Sequence, residues 1–243
     1  MKVIVIIPAA GLGTRMSPGG KKTIASKQFV EIDGTPLIIY TLRVFARNPQ
    51  VSSIVVALRK SEMDRFRSQL EKENLSAKVE IVEGGEHRQE SVAHALAKLN
   101  ADQDDIVLVH DAVRPFIDDE IVANVVREAQ KHGAAIAGLP AVDTIKQVER
   151  TAEGAIITST IPRERVVQAQ TPQGFRYGVI KKAFDSAQAD GFIGTDEASL
   201  VERMGEDVHV VMGSARNIKI TTPADLELAE FLLGKSKLTT DLH

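Results

Sequence analysis

Three short stretches of this 243-residue chain place glycines, cations and a carboxylate at spacings suited to phosphate chemistry. The first is Pro8-Ala9-Ala10-Gly11-Leu12-Gly13-Thr14-Arg15-Met16. Glycines let the backbone approach a ligand closely, and clustered N–H groups form an anion nest. Arg15 adds a fixed charge, and Lys21, Lys22 and Lys27 follow soon after. A glycine loop with cations and no Walker lysine suits a triphosphate. The alternative is a plain turn, with Lys21 and Lys22 as solvated surface charges. A dinucleotide fingerprint fits poorly, because it needs a small residue where Met16 stands. A P-loop fails as well: Gly234-Lys235-Ser236 has Ala229 at the required first glycine and follows a helical pattern instead of a strand.

The second stretch is Val109-His110-Asp111-Ala112-Val113-Arg114-Pro115. An Asp just past the C-terminal end of a buried strand lies where open α/β sheets bind ligands. A carboxylate there, beside a triphosphate, is a natural partner for Mg²⁺. A helix cap or a salt bridge to Arg114 is the competing role. The third stretch, Gly84-Gly85-Glu86-His87-Arg88-Gln89-Glu90-Ser91, permits tight approach to a flat ring or a ribose. On its own it is also an ordinary strand-to-helix connection. His87 has no second His or Cys at ligand spacing and reads as a surface or capping residue.

Something must position these residues. Short β-branched runs alternate with helical periods, which is the pattern of an α/β protein with a mainly parallel, twisted sheet flanked by helices. Val3 to Ile7 reads as a strand buried on both faces, and 54–58, 79–82 and 106–109 as further strands. Thr35 with Pro36 is expected to open one helix and Ser61 the next, the latter burying Met63, Phe66 and Leu70 on one face. Helices are expected over 87–99 and 118–132, with Gly133 just past the end of the second. Thr222-Pro223-Ala224-Asp225 opens a last helix to about Leu233. From Pro140 to Phe175 no helical period appears. Two alternating runs there, split by the turn at Glu153-Gly154, predict a β-hairpin arm projecting from the sheet, at about 140–170. A two-stranded arm is marginal alone, so packing on a second subunit is expected, against the alternative of folding back on its own domain. The whole reads as one domain over 1–235 with a frayed tail at 236–243.

Charge and composition narrow the function. With 30 Lys and Arg against 33 Asp and Glu, the net charge of −3 argues against a nucleic-acid binder relying on whole-domain charge. Eight Phe, two Tyr and no Trp are few for a base-stacking platform. The absence of cysteine removes disulfides, thiolate nucleophiles and thiolate zinc sites together. No secretory leader is recognisable, and the longest apolar run, Val3 to Leu12, is about half a membrane span. A soluble, cytoplasmic protein without nucleic-acid or membrane partners is expected.

The set Pro8-Ala9-Ala10-Gly11-x-Gly13-x-Arg15-Met16, Lys27-Gln28-Phe29, Gly84-Gly85-x-x-Arg88-x-x-Ser91 and His110-Asp111-Ala112-x-Arg114-Pro115 resembles the sugar-alcohol phosphate cytidylyltransferases. Asp143-Thr144-Ile145-Lys146, Gln170 to Phe175, Thr195 to Ser199 and Asn217 to Thr221 narrow the resemblance to the 2-C-methyl-D-erythritol 4-phosphate cytidylyltransferase family. It covers nearly the whole chain, from Val3 to about Leu233, in order. It implies a Rossmann-like nucleotidyltransferase fold and transfer of CMP from CTP to the alcohol phosphate, releasing pyrophosphate, with Mg²⁺, in non-mevalonate isoprenoid synthesis. An attacking phosphate oxygen is already anionic, so no general base is needed. The obstacle is repulsion between anions, and positioned cations remove it.

The same resemblance implies roles. Arg15 and Lys27 would stabilise charge on the α-phosphate, and the backbone of Ala9, Ala10, Gly11 and Gly13 would hold ribose and triphosphate. Gly85 and Ser91 would read the cytosine, and Asp111 with Ala112 would sit by the metal and ribose. Lys219 would position the alcohol phosphate with Arg114, Thr144, Thr171 and Thr195 nearby, and Arg163 would reach it from the arm of the partner subunit of a homodimer. Thr195 also suits a helix N-cap. The chain departs from the family's pattern in the long interval from Met16 to Ser26, in Ser26 where a Pro is usual, and in Pro162 before Arg163. A ribitol 5-phosphate cytidylyltransferase, or a nucleotide-binding protein without turnover, are the alternatives.

Overall fold

The computed structural model of the chain describes residues 1–11 and 26–240, the last six of these by backbone alone. Arg15, Gly13, Lys21 and Lys22 therefore lie outside the described residues. The chain opens with β1 (Val3–Pro8), and the small pair β2 (Glu31–Ile32) and β3 (Thr35–Pro36) precedes α1 (Leu37–Arg47). Next come β4 (Ser53–Leu58), α2 (Lys60–Lys72), β5 (Val79–Glu83), α3 (Arg88–Leu96), β6 (Ile106–Val109) and α4 (Asp119–His132). The second half holds β7 (Ala134–Pro140), β8 (Ile145–Thr151), β9 (Gly154–Ile161), β10 (Val167–Arg176), α5 (Tyr177–Ala189), α6 (Glu197–Arg203), β11 (His209–Met212) and α7 (Pro223–Thr240).

Among the described residues, the central sheet has the order β11-β7-β10-β6-β1-β4-β5. Pairs β1–β4, β1–β6, β4–β5 and β7–β11 are parallel, and β10 runs antiparallel to both β6 and β7. The mainly parallel sheet expected from the alternating pattern is present. Buried on both faces, β1 divides its side chains between two cores. Val3, Val5 and Ile7 pack with residues of α1, α2 and α4, while Ile4 and Ile6 pack with α3, α5 and α6. Period-2 strands and period-3.6 helices thus close on each other from both sides.

Several local expectations need correction. Thr35 and Pro36 do not start a helix; they pair with Glu31 and Ile32 around a tight turn in which Asp33 (φ 50°) and Gly34 (φ 72°) are left-handed. Two successive left-handed residues make the turn whose twist suits a short antiparallel pair. α1 begins at Leu37, with no side-chain cap. α2 begins at Lys60, with Arg59 at the N-cap position, so Ser61 lies inside its first turn. Phe66 and Leu70 are buried as expected. Asp118, expected inside the helix, is its N-cap, accepting from the Ile121 N–H at 2.9 Å, and Gly133 ends α4 as expected, with φ 96°. α7 extends to Thr240, beyond the expected end near Leu233.

The hairpin arm is present as β8 and β9, paired antiparallel from Ile145↔Ile161 to Thr151↔Gly154, with a register break at Gln147/Val148. Its extent is shorter than expected. From Val167 the chain has rejoined the central sheet as β10, next to β6. Pro172 and Gly174 disguise this strand in the sequence. Pro172 sits at the register break between Ala169 and Gln173, where a missing N–H is tolerated. At Gly174 a Cβ would lie 2.6 Å from Val125 Cγ1 and 2.9 Å from Leu108 Cδ2, so only glycine lets α4 and β6 approach this closely.

Candidate active site

The C-terminal ends of β1, β4 and β6 point to one edge of the sheet, where a cleft of about 250 Å³ opens. It is lined by Ala9, Ala10 and Gly11 after β1, Lys27 and Gln28, Arg88 and Ser91 of α3, Asp111 and Ala112 after β6, and Lys219. The sequence stretches selected for phosphate chemistry meet there. Gly84 is the junction between two of them: a Cβ on it would lie 2.7 Å from the Ala10 Cβ and 2.9 Å from the Ser91 Oγ. The Ser91 hydroxyl accepts from the Gly85 N–H at 3.1 Å and donates to the His87 carbonyl at 3.1 Å, shaping the turn before α3.

A second depression shares Arg88, Asp111 and Lys219 with the first and adds Arg114, Gln170, Thr171, Thr195 and Asp196. Asp111 therefore stands on the common wall. Its carboxylate lies 3.0 Å from Arg114 Nε, 3.0 Å from Lys219 Nζ and 3.7 Å from Arg88 Nε. Burial raises the cost of its charge, but Arg88, Lys219 and Arg114 outweigh burial and hold its pKa well below the usual carboxylate range. The salt bridge to Arg114 and exposure to the ligand cleft thus coexist.

Behind Asp111 the hydrogen bonds define a direction. His110 is buried, and its Nε2 lies 3.0 Å from the Arg114 carbonyl, which can only accept, so Nε2 carries the proton. Its Nδ1 then accepts from the Thr171 hydroxyl at 3.1 Å, and Thr171 Oγ in turn accepts from the Asp111 N–H at 3.1 Å. Burial pushes the His110 pKa down to about 4, in keeping with that neutral ring. The fully buried Asn217 side-chain amide donates to the Thr171 carbonyl at 2.8 Å and to Gln170 Oε1 at 3.2 Å, while the Asn217 main-chain carbonyl accepts from Arg114 at 2.7 Å. This network ties the Lys219 segment to β10 and to Asp111.

Some expected residues are elsewhere. Gly85 lies beside the first cleft without lining it. Thr144 and Arg163 are exposed at the base of the arm and line neither depression, and the Arg163 guanidinium donates to the Val142 carbonyl at 3.0 Å. The cap of α6 is Asp196, accepting from the Ser199 N–H at 3.0 Å, and Thr195 precedes it. Arg88 joins the site without having been expected there from the sequence. Its guanidinium joins the buried Glu197 to Asp111. Burial opposes its charge, but Glu197 and Asp111 raise its pKa above the ordinary arginine value. A basic residue opening a helix after a double glycine was the available signal.

A fold with a crevice at the strand C-termini, lined by backbone, cations and one anionic carboxylate, is shared by many nucleotide-binding proteins. Likeness to known proteins is more specific. A model of the family described as IspD, 2-C-methyl-D-erythritol 4-phosphate cytidylyltransferase, matches residues 3–235. The chain belongs to this family. A relative from Acidobacterium capsulatum named 2-C-methyl-D-erythritol 4-phosphate cytidylyltransferase is 58% identical over 233 residues, covering 96% of this chain and 98% of that one. Among solved structures, 4-diphosphocytidyl-2C-methyl-D-erythritol synthase from Anaerococcus prevotii superposes with a TM-score of 0.80 at 30% identity, covering 96% of each chain. 2-C-methyl-D-erythritol 4-phosphate cytidylyltransferase from Thermus thermophilus superposes with a TM-score of 0.73 at 34% identity, covering 96% of this chain and 98% of that one. As a family member the chain is a nucleotidyltransferase that joins CTP and 2-C-methyl-D-erythritol 4-phosphate into the cytidine diphosphate alcohol of isoprenoid synthesis. No helix among the described residues is long and apolar enough to cross a membrane.

Proposed function

We propose that the two depressions divide this reaction between them, with the cytidylyl donor in the cleft of Ala9, Ala10, Gly11 and Ser91 and the alcohol phosphate in the depression of Arg114, Thr171 and Thr195. The supporting observation is the shared wall: Asp111, Arg88 and Lys219 border both. A phosphate oxygen of the alcohol attacks the α-phosphorus of CTP. The bond from that phosphorus to the bridging oxygen breaks, and pyrophosphate leaves with the electron pair. Lys219 and Arg114 attract the incoming dianion, and Lys27 with Arg15 offsets charge on the transferring phosphoryl group. Asp111 remains anionic and holds Arg88, Arg114 and Lys219 together at the shared wall.

Mg²⁺ is part of this proposal. Among the described residues Asp111 is the carboxylate lining the first cleft, its depressed pKa keeps it charged, and Mg²⁺ commonly takes one carboxylate together with substrate phosphates. When bound, the ion would neutralise charge on the triphosphate. We also propose a homodimer through the arm, because Val148, Ile156 and Ile157 leave 48%, 62% and 60% of their surfaces exposed on a two-stranded ribbon. Arg163 and Thr144 would then serve the partner's site.

Two variants test the division of labour. Arg15→Ala is expected to lower kcat by about 10²–10³, as loss of a preorganised charge does. Arg163→Ala is expected chiefly to raise KM for the alcohol phosphate and to leave CTP binding nearly unchanged. With subunit exchange verified by mass spectrometry of tagged chains, the mixed dimer has one site with both lesions and one with neither, so about half of its activity should return. Recovery no greater than the sum of the parents refutes the shared site. Pyrophosphate release with ribitol 5-phosphate exceeding that with methylerythritol phosphate at equal concentration refutes the substrate.

A further inference from the structure

β1 and β4 are parallel neighbours in register, with Pro8 opposite Ala57. Two residues further along each strand, Ala10 and Arg59 are therefore brought side by side. The Arg59 Nε donates to the Ala10 carbonyl at 2.7 Å. Arg59 stands outside every motif of the sequence, is half-buried at the N-cap position of α2, and does not line the nucleotide cleft. A trans peptide holds its C=O and the following N–H on opposite sides. With the Ala10 carbonyl held by Arg59, which does not line the cleft, the Gly11 N–H is turned away from Arg59, and Gly11 itself lines the cleft. The preceding carbonyl, of Ala9, is held as well, by the buried Gln28 amide.

We infer that Arg59 is a positioning residue for nucleotide binding, presetting the Ala10–Gly11 peptide so that its N–H is ready for a phosphate oxygen of the nucleotide. The inference rests on the assignment of CTP to this cleft. Preorganisation of a backbone donor lowers the cost of ordering the loop at the moment of binding. Its benefit falls on the phosphates and not on the base.

Two substitutions separate this role from mere charge or mere structure. In Arg59→Gln the amide nitrogen stands the same number of bonds from the backbone as the arginine Nε, so the donor remains while the charge goes. In Arg59→Ser the donor is lost, but Ser is a favoured N-cap residue and preserves α2. Dissociation constants for CTP and for cytidine are measured by calorimetry on both variants and the wild type, after thermal melting has shown that they fold. Arg59→Ser is expected to weaken CTP by about tenfold, the size of one lost charge-assisted hydrogen bond, and cytidine by less than about twofold. Arg59→Gln is expected to stay within about threefold of the wild type for both. Equal weakening of CTP in both variants, abolished by high salt, would assign Arg59 a long-range charge effect only and overturn the inference. So would an unchanged ratio of the two constants in Arg59→Ser. Failure of the functional assignment shows separately, as absence of wild-type turnover with CTP and the alcohol phosphate.

Discussion

His110 offers a test of the buried network from its protonation alone. The ring is fully buried, packs edge-to-face with Phe45 at a centroid distance of 4.9 Å, and is neutral because Nε2 must donate to Arg114 while Nδ1 accepts from Thr171. Its pKa is lowered from 6.5 to about 4, chiefly by burial; the hydrogen bond to the Arg114 carbonyl and the Asp111 charge work in the opposite direction, and the charges of Arg114 and Arg88 work with burial. Above pH 6.5 the imidazole is neutral in both folded and unfolded chains and contributes no pH dependence. Between 6.5 and about 4 the unfolded chain binds a proton that the folded chain refuses, so stability falls by about 1.4 kcal/mol per pH unit. Below the folded value both states are protonated and the slope vanishes. By pH 4.5 the accumulated loss is about 2–3 kcal/mol, a large part of a typical net stability. His110→Gln removes the titration and keeps an amide that can reach toward Arg114. The variant is less stable at pH 7, since the Thr171 hydroxyl loses its acceptor, but the gap to wild type should shrink by about 2–3 kcal/mol between pH 7 and pH 4.5. Urea denaturation of both proteins across this range measures the gap directly, and carboxylates common to both cancel to first order. A gap constant to within about 0.5 kcal/mol would refute the neutral buried ring.

Two other substitutions probe the walls of the site. Glu197→Gln removes the charge that Arg88 shares with Asp111; Glu197 is 2% exposed, and a loss of about 1–3 kcal/mol in denaturant unfolding is expected, with less than about 0.5 kcal/mol counting against a buried ion pair. Gly84→Ala must displace Ala10 or Ser91, whose atoms lie 2.7 and 2.9 Å from the added carbon, so KM for CTP should rise several-fold while KM for the alcohol phosphate changes little; equal effects on both would show that the contact does not shape the nucleotide cleft.

Much of this protein was legible in residue order alone. A run such as Val3 to Ile7, with no polar alternation, has to be buried on both faces, and strands of this kind separated by amphipathic helices leave few arrangements besides a doubly covered parallel sheet. The stop at Gly133 and the hairpin turn at Gly154 are local chemistry acting over a few residues, and they appear where the sequence places them. Motif spacing likewise points to Ala9 to Gly11, Ser91 and Asp111, and the family resemblance to Lys219, and these line one cleft.

What the sequence left undetermined depends on contacts between residues distant along the chain. β10 reads as irregular because Pro172 and Gly174 are poor strand formers, yet Gly174 is demanded by Val125 and Leu108, which approach from α4 and β6. Thr35 and Pro36 form a helix start by propensity and a strand pair in fact, because two residues with positive φ at Asp33 and Gly34 turn the chain back first. Arg88 acquires its role only when folding sets Asp111 and Glu197, 23 and 109 positions away, on either side of it. Arg59 reaches Ala10 across 49 positions because two parallel strands end in register. Local propensity acts through neighbouring dihedrals and is written in the sequence; ion pairs and backbone clamps act through space, and only the tertiary structure decides which groups share it.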